Sequence, residues 1–202
     1  MDDPLISSGR FTGLRYKELA LAHRELEASE FYDCQFIRCS LLEAVLRKCR
    51  FINCTFQNCD LSLGQFPETV WSGALFEDTK LLGINWTLAS WPAAGLGEPL
   101  QFVRCALNHA TFLGLELREA SFLDCTLLNV DFREADLSQA QFAGSDLLGS
   151  LFAQTNLTQA DFSRARNYQI DPALNILKQA HFSLPEAMAL LYNLDIVLDG
   201  DL

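Results

Sequence analysis

Basic residues are outnumbered in this chain: 15 Lys and Arg against 26 Asp and Glu leave a formal net charge of −11. That balance argues against direct DNA or RNA binding, because phosphates are met by Lys and Arg. Histidine is scarce, and the three present (His23, His109, His181) lie far apart in sequence and suggest no ligand set. No glycine-rich phosphate loop, nucleophile elbow or HExxH pattern occurs. No apolar run approaches the roughly 20 residues of a membrane span. The start, Met1-Asp2-Asp3-Pro4, lacks the basic and apolar regions of a secretory signal. These absences lead us to expect a cytoplasmic protein that is not an enzyme, with no cofactor, metal, small-molecule ligand or membrane partner.

What is present is a period of five. Every fifth residue from Leu117 reads Leu117, Phe122, Leu127, Phe132, Leu137, Phe142, Leu147, Phe152, Leu157, Phe162. Two residues before most of these sits something small: Ala120, Cys125, Ala135, Ala140, Ser145, Ser150, Thr155, Ala160. Ala135-Asp136-Leu137-Ser138-Gln139 is the clearest unit. Five fits neither a helix face near 3.6 nor the two-residue alternation of a lone strand, so the pattern predicts a repeat architecture. If each unit is one short extended side, four sides close a square coil of twenty residues, and coils stack at about 4.8 Å. The central Leu or Phe then points inward. The residue two before it also points inward and must be small for the layer to close. The other three positions are expected to face solvent and vary freely. The fold is therefore expected to be an all-β, quadrilateral β-helix in which each coil contacts only its neighbours.

The seven cysteines, Cys34, Cys39, Cys49, Cys54, Cys59, Cys105 and Cys125, all fall at the small inward position. They read as buried structural thiols rather than a metal site or a disulfide framework.

Along the chain, residues 1–25 read as an irregular first coil or cap, since Leu14, Leu19 and Arg24 hold its small positions. Residues 26–91 form a first block in register. Residues 92–101 interrupt it, and Phe102 follows Trp91 by one residue more than two units. The prolines and glycines of Trp91 to Pro99 mark a loop. It is either a one-residue bulge that the coil absorbs or a projecting loop that touches a partner. Residues 102–182 form a second block, with a short excursion around Asp171-Pro172. In residues 183–202, Ser183-Leu184-Pro185-Glu186 reads as the start of a short α-helix. Leu184, Met188 and Leu191 are expected to seal the last coil. Leu190, Tyr192 and Ile196 are expected to face a second copy, with Leu194 beside them, in a two-fold dimer. Ile196-Val197-Leu198 reads as a strand-like tail.

The repeated unit, small residue, Asp or Asn, Leu or Phe and two variable residues, resembles the pentapeptide-repeat proteins over most of the chain. That resemblance implies a right-handed coil. Gly83-Ile84-Asn85-Trp86-Thr87, Asn167-Tyr168-Gln169-Ile170-Asp171, and Phe182-Ser183-Leu184-Pro185-Glu186-Ala187 with Leu190-Leu191 and Leu194-Asp195-Ile196 are similar to the gyrase-interacting branch. That branch holds the Qnr-type quinolone-resistance proteins and the self-immunity proteins of albicidin and microcin B17 producers. It implies a tail-to-tail dimer that binds DNA gyrase, with topoisomerase IV as a second target, and relieves a topoisomerase poison.

The charge pattern fits an acidic rod that imitates DNA. Carboxylates stand just before the central residue at Glu116, Asp131, Asp136, Asp146 and Asp161, and at other outward positions at Glu119, Asp124 and Glu134. The candidate gyrase-binding residues are Trp91, Pro92, Glu98, Glu116, Glu119, Asp131, Glu134 and Asp136. A stacked rod of seven to eight coils would span roughly 35 Å. The rival expectation is a generic interaction scaffold whose acidity only keeps it in solution.

Overall fold

The computed structural model describes residues 8–91, 97–194 and 196, the side chains of Tyr192 and Asn193 excepted. Each five-residue unit forms one side of a square coil. Each coil lies parallel on the next, with Phe11 opposite Phe31, Tyr16 opposite Phe36 and Leu26 opposite Leu46. Strand side chains alternate, so the middle residue of Arg15–Lys17 and of Gln35–Ile37 is buried between more open neighbours. Backbone groups pair between coils in both directions: Leu21 N–H donates to Ser40 C=O at 2.7 Å, and Ser40 N–H to Leu19 C=O at 2.8 Å. The result is a four-sided parallel β-solenoid.

The inward residues form four columns. On the second side Tyr16, Phe36, Phe56, Phe76, Phe102, Phe122, Phe142, Phe162 and Phe182 stack ring on ring, centroids 4.7 to 5.1 Å apart. On the third side the column is Leu21, Leu41, Leu61, Leu81, Leu107, Leu127 and Leu147. The first side carries Phe11, Phe31, Phe51 and Trp71, whose rings also stack, and then Leu117, Leu137 and Leu157. The fourth side does the reverse, Leu26 and Leu46 giving way to Phe66, Trp86, Phe112, Phe132 and Phe152. The aromatic columns thus exchange sides half-way along the rod. Strict leucine–phenylalanine alternation exists only beyond that point because only there do the aromatic columns stand opposite each other.

The small inward position does more than save space. Its thiol or hydroxyl donates to the carbonyl of the central residue in the preceding coil and accepts from the N–H above that carbonyl. Ser145 Oγ donates to Phe122 C=O at 2.7 Å and accepts from Cys125 N–H at 2.8 Å. Cys125 Sγ does the same for Phe102 C=O and Cys105 N–H, and Thr69 Oγ1 for Leu46 C=O and Cys49 N–H. All seven cysteines are free and buried. Burial pushes the thiol of Cys49 up to about 11 and that of Cys54 up to about 12.

One of the three outward positions is less free than expected. Two residues after the centre the chain turns its corner with positive φ, as at Glu18, Arg38, Asn58, Asp78, Arg104 and Asp124. L-residues adopt this region at a cost, and Asn, Asp and Gly at the least cost. At Gly144 a Cβ would also meet the Asp124 carboxylate, which would have to swing aside.

The ends depart from expectation in three ways. The first coil is regular from Arg10, and the poorly fitting Leu14 is 45 % exposed at the end of the described solenoid. The stretch around Asp171-Pro172 adds no residue, since Asn156 bridges Ile176 and Asp146 bridges Arg166. Asn167 is exposed, and its neighbour Tyr168 is buried against Phe162 and Phe182. The C-terminal helical turn, Glu186–Leu194, is of 3-10 type rather than α. Side chains at its start also serve the solenoid: Ser183 Oγ accepts from Arg164 N–H at 3.2 Å and the Glu186 carboxylate from Asn167 N–H at 2.6 Å. Those two N–H groups are edge donors that a further coil would otherwise satisfy. Among the described residues no helix is long and apolar enough to cross a membrane.

Candidate interaction surface

The interruption inserts six residues. Val70 bridges Ser90, twenty residues on, but Leu75 pairs with Gln101, an offset of 26. The one-residue bulge is thereby corrected, because a bulge of that size cannot produce this offset. Gly73 N–H donates to Glu98 C=O, and Glu98 N–H to Ser72 Oγ. This register puts Gly97 at the central position of the first side, between Trp71 and Leu117. Glycine has no side chain to fill it. Trp91 does not replace the missing group, since its ring packs toward Trp86 and its indole N–H donates to Trp86 C=O at 3.0 Å.

A surface pocket of about 410 Å³ lies beside Gly97, lined by Trp71, Trp91, Leu100, Leu117 and Ala120, with Glu98, Glu116, Arg118 and Glu119 among its polar residues. Trp71 is fully buried, and its indole N–H has no partner among the described residues.

Four of the expected partner-binding residues (Trp91, Glu98, Glu116, Glu119) therefore meet around one feature. Pro92 lies outside the described residues. Asp131 and Glu134 stand on the neighbouring side and do not line the pocket, and Asp136 lies one coil above Glu116.

The acids fall into two kinds. Asp131 and Asp136 each accept from the N–H two residues on, Arg133 at 3.1 Å and Ser138 at 3.0 Å, which braces the side before its corner. Each also holds an arginine: Arg133 at 2.7 Å from Asp131, and Arg118 at 2.8 Å from Asp136. Asp146 does likewise with Leu148 N–H and Arg166. Hydrogen bonding from Arg133 holds the Asp131 carboxyl below the usual range. At Asp136 burial works the other way, but bonds from Ser138 and the ion pair with Arg118 outweigh it, again lowering the pKa. Glu98, Glu116, Glu119 and Glu134 differ: they are exposed, and no side-chain hydrogen bond or ion pair is made by them among the described residues. They are the free negative charge of this region.

The sequence marks Trp71 only as a core residue, and it does not single out Arg118 or Arg133. The signal for Arg118 was its place eighteen residues before Asp136, and for Trp71 its place at the end of an aromatic column. A glutamine column, Gln139, Gln159 and Gln179, rises above Glu119, with Gln159 Nε2 donating to Gln179 Oε1 at 3.2 Å. Among the described residues no cluster of His, Cys, Asp and Glu is placed to hold a metal ion.

At the C-terminal end Leu184 is 79 % exposed, and Leu194, Ile196, Leu174 and Ile176 are exposed too. Leu190 and Ala189 pack against the core, while Met188 and Leu191 are half-buried. Leu184, expected to seal the last coil, is thus exposed, and Leu190, expected to face a second copy, packs on the core. Within Glu186–Leu194 a 3-10 turn advances about 120° per residue instead of 100°, which brings Leu190 inward, whereas Leu184 lies before the turn. The side chain of Tyr192, and Val197 and Leu198, lie outside the described residues.

The family model for the pentapeptide repeat region matches residues 29–112 and 91–162. The chain belongs to the pentapeptide repeat family. No curated protein sequence matches it. Among solved structures, this pentapeptide repeat protein is similar to a trypsin-treated variant of QnrB1, a plasmid-mediated fluoroquinolone resistance protein, with a TM-score of 0.71 at 16% identity, over 96% of this chain and 99% of that one. Full-length QnrB1 gives a TM-score of 0.51 at 20% identity, over 90% of this chain and 100% of that one. At these identities the likeness is one of fold.

Proposed function

We propose that this pentapeptide repeat protein is a non-catalytic acidic rod that binds a bacterial type II topoisomerase, DNA gyrase first and topoisomerase IV as the alternative, and protects or modulates it against a poison such as a quinolone or a peptide antibiotic. The observation that carries the reading is the end-to-end match to a fluoroquinolone resistance protein, together with the sequence likeness to the gyrase-interacting branch. Physics supplies the means of binding. The stacked second side spans roughly 40 Å at the strand spacing, and a net charge of −11 suits it to a basic groove built for duplex DNA. The carboxylates available for that purpose are Glu98, Glu116, Glu119 and Glu134, because Asp131 and Asp136 are already held by arginines of this chain. The exposed apolar end around Leu184, Leu194 and Ile196 supports a tail-to-tail dimer, which would double the length of the rod.

A second reading, the generic acidic scaffold, is favoured by those same internal ion pairs, which spend part of the acidity inside the molecule. Supercoiling by purified gyrase, titrated with this protein with and without a fluoroquinolone, separates the two. Rescue in the presence of drug is expected for a protecting partner. No effect on gyrase or on topoisomerase IV, in either arm, would leave the scaffold.

A further inference from the structure

Contacts between coils are unevenly shared along the rod. Where the first coil meets the second, polar side chains pair all the way round the square. Arg10 Nε donates to Glu30 at 2.9 Å and Arg15 Nε to Gln35 at 2.8 Å. Arg38 holds Glu18 at 2.7 Å, His23 Nδ1 lies 3.3 Å from Glu43, and Arg47 reaches Glu25 at 3.4 Å. The Arg10 guanidinium also stands 4.9 Å over the Tyr32 ring, and Tyr32 donates to the same Glu30 at 3.3 Å. Further along, successive coils share one ion pair at most among the described residues: Lys48–Glu68, Asp78–Arg104, Arg118–Asp136 and Asp146–Arg166.

Apolar packing holds the first coil less firmly. Leu14 is exposed, and Phe11 and Leu19 are only partly buried. The small-position bridges that reach this coil come from thiols, Cys34 to Phe11 C=O at 3.5 Å and Cys39 to Tyr16 C=O at 3.8 Å. A thiol is a weak donor. Attachment of the coil therefore leans on charge. The three arginine–carboxylate pairs are made by side chains between 34 % and 68 % exposed, so dissolved ions screen them. One exposed pair contributes little, but Arg10–Glu30, Glu18–Arg38 and Glu25–Arg47 resist the same opening, and their contributions add.

The two halves of the rod also differ in charge balance. Residues 9–48 hold seven basic and six acidic residues, and residues 97–194 hold six and eleven. Salt weakens attraction in the first stretch and repulsion in the second. We propose that the first coil is an ionic latch, which opens as a unit when ionic strength rises while the acidic half tightens. Opening breaks the bonds that Gly13, Glu18, Leu21 and His23 N–H donate to the second coil, and leaves that coil as a bare strand edge. The latch works in this way whichever partner the rod binds.

Amide hydrogen exchange of the whole chain, read by mass spectrometry, tests this at about 0.01 M and about 1 M salt, between which the Debye length falls from about 30 Å to about 3 Å. Protection in residues 13–23 is expected to fall about tenfold, and protection in residues 102–162 to hold or rise. Arg10→Gln with Arg38→Gln and Arg47→Gln should lose that protection already at low salt and show no further loss at high salt. Reversing one pair, Glu18→Arg with Arg38→Glu, should keep the parent's salt response. A fall of equal size along the whole chain, or a first coil indifferent to salt, would overturn the proposal. So would a triple variant as well protected as the parent at low salt.

Discussion

Trp91 donates its indole N–H to the carbonyl of Trp86 at 3.0 Å, and its ring lies 6.3 Å from that of Trp86. This one bond ties the start of the insertion to the fourth side of the coil. Trp91→Phe keeps the ring and removes the donor. It should lower stability by about 1 kcal/mol, the usual net worth of such a bond. Urea unfolding reads this as a lower midpoint at constant slope; an unchanged midpoint would mean that the bond does not hold the ring.

The bridging role of the small position is tested at Ser145. Ser145→Ala strands the N–H of Cys125 and the carbonyl of Phe122, both buried, and should cost about 1–3 kcal/mol. Ser145→Cys should recover most of that, because Cys125 makes the same two bonds one coil below. If alanine is as stable as serine, the position selects for size alone.

Acid stability follows from the braced aspartates. Asp131, Asp136 and Asp146 have folded-state pKa values below the ordinary one, which is about 3.9 for an unfolded Asp. Their contribution is therefore complete above that value and is lost as the pH falls through the folded pKa values. Arg133→Gln removes the chief cause at Asp131, so acid unfolding, followed by circular dichroism, should begin at a higher pH. A variant that unfolds at the same pH as the parent would contradict the assignment.

The dimer is tested where the surface is most open. Leu184 is 79 % exposed, so Leu184→Asp should not disturb the fold of the single chain. Light scattering should give a dimer for the parent and a monomer for the variant. A monomeric parent would end the tail-to-tail proposal.

Much of this was legible because five-residue periodicity admits few geometries: the central residues and the small positions name themselves. Trp91 misled because it lies twenty residues after Trp71 and so occupies a central position on paper. Only the change of offset from Val70↔Ser90 to Leu75↔Gln101 reveals that Gly97 holds that position in space. The arginine partners of Asp131 and Asp136 were hidden for another reason. A long side chain at a corner can reach several carboxylates, and its choice depends on rotamers that spacing does not encode. At the C-terminus a period of 3.6 predicts the wrong faces, because Glu186–Leu194 is a 3-10 turn that brings Leu190 inward.

The most direct measurement is the binding of labelled protein to intact gyrase across a salt series, repeated with duplex DNA as competitor. The account predicts binding that weakens steeply as salt rises, is displaced by DNA, and loses affinity and salt dependence in Glu98→Lys with Glu116→Lys and Glu119→Lys. Absence of binding at low salt to gyrase and to topoisomerase IV alike would contradict it.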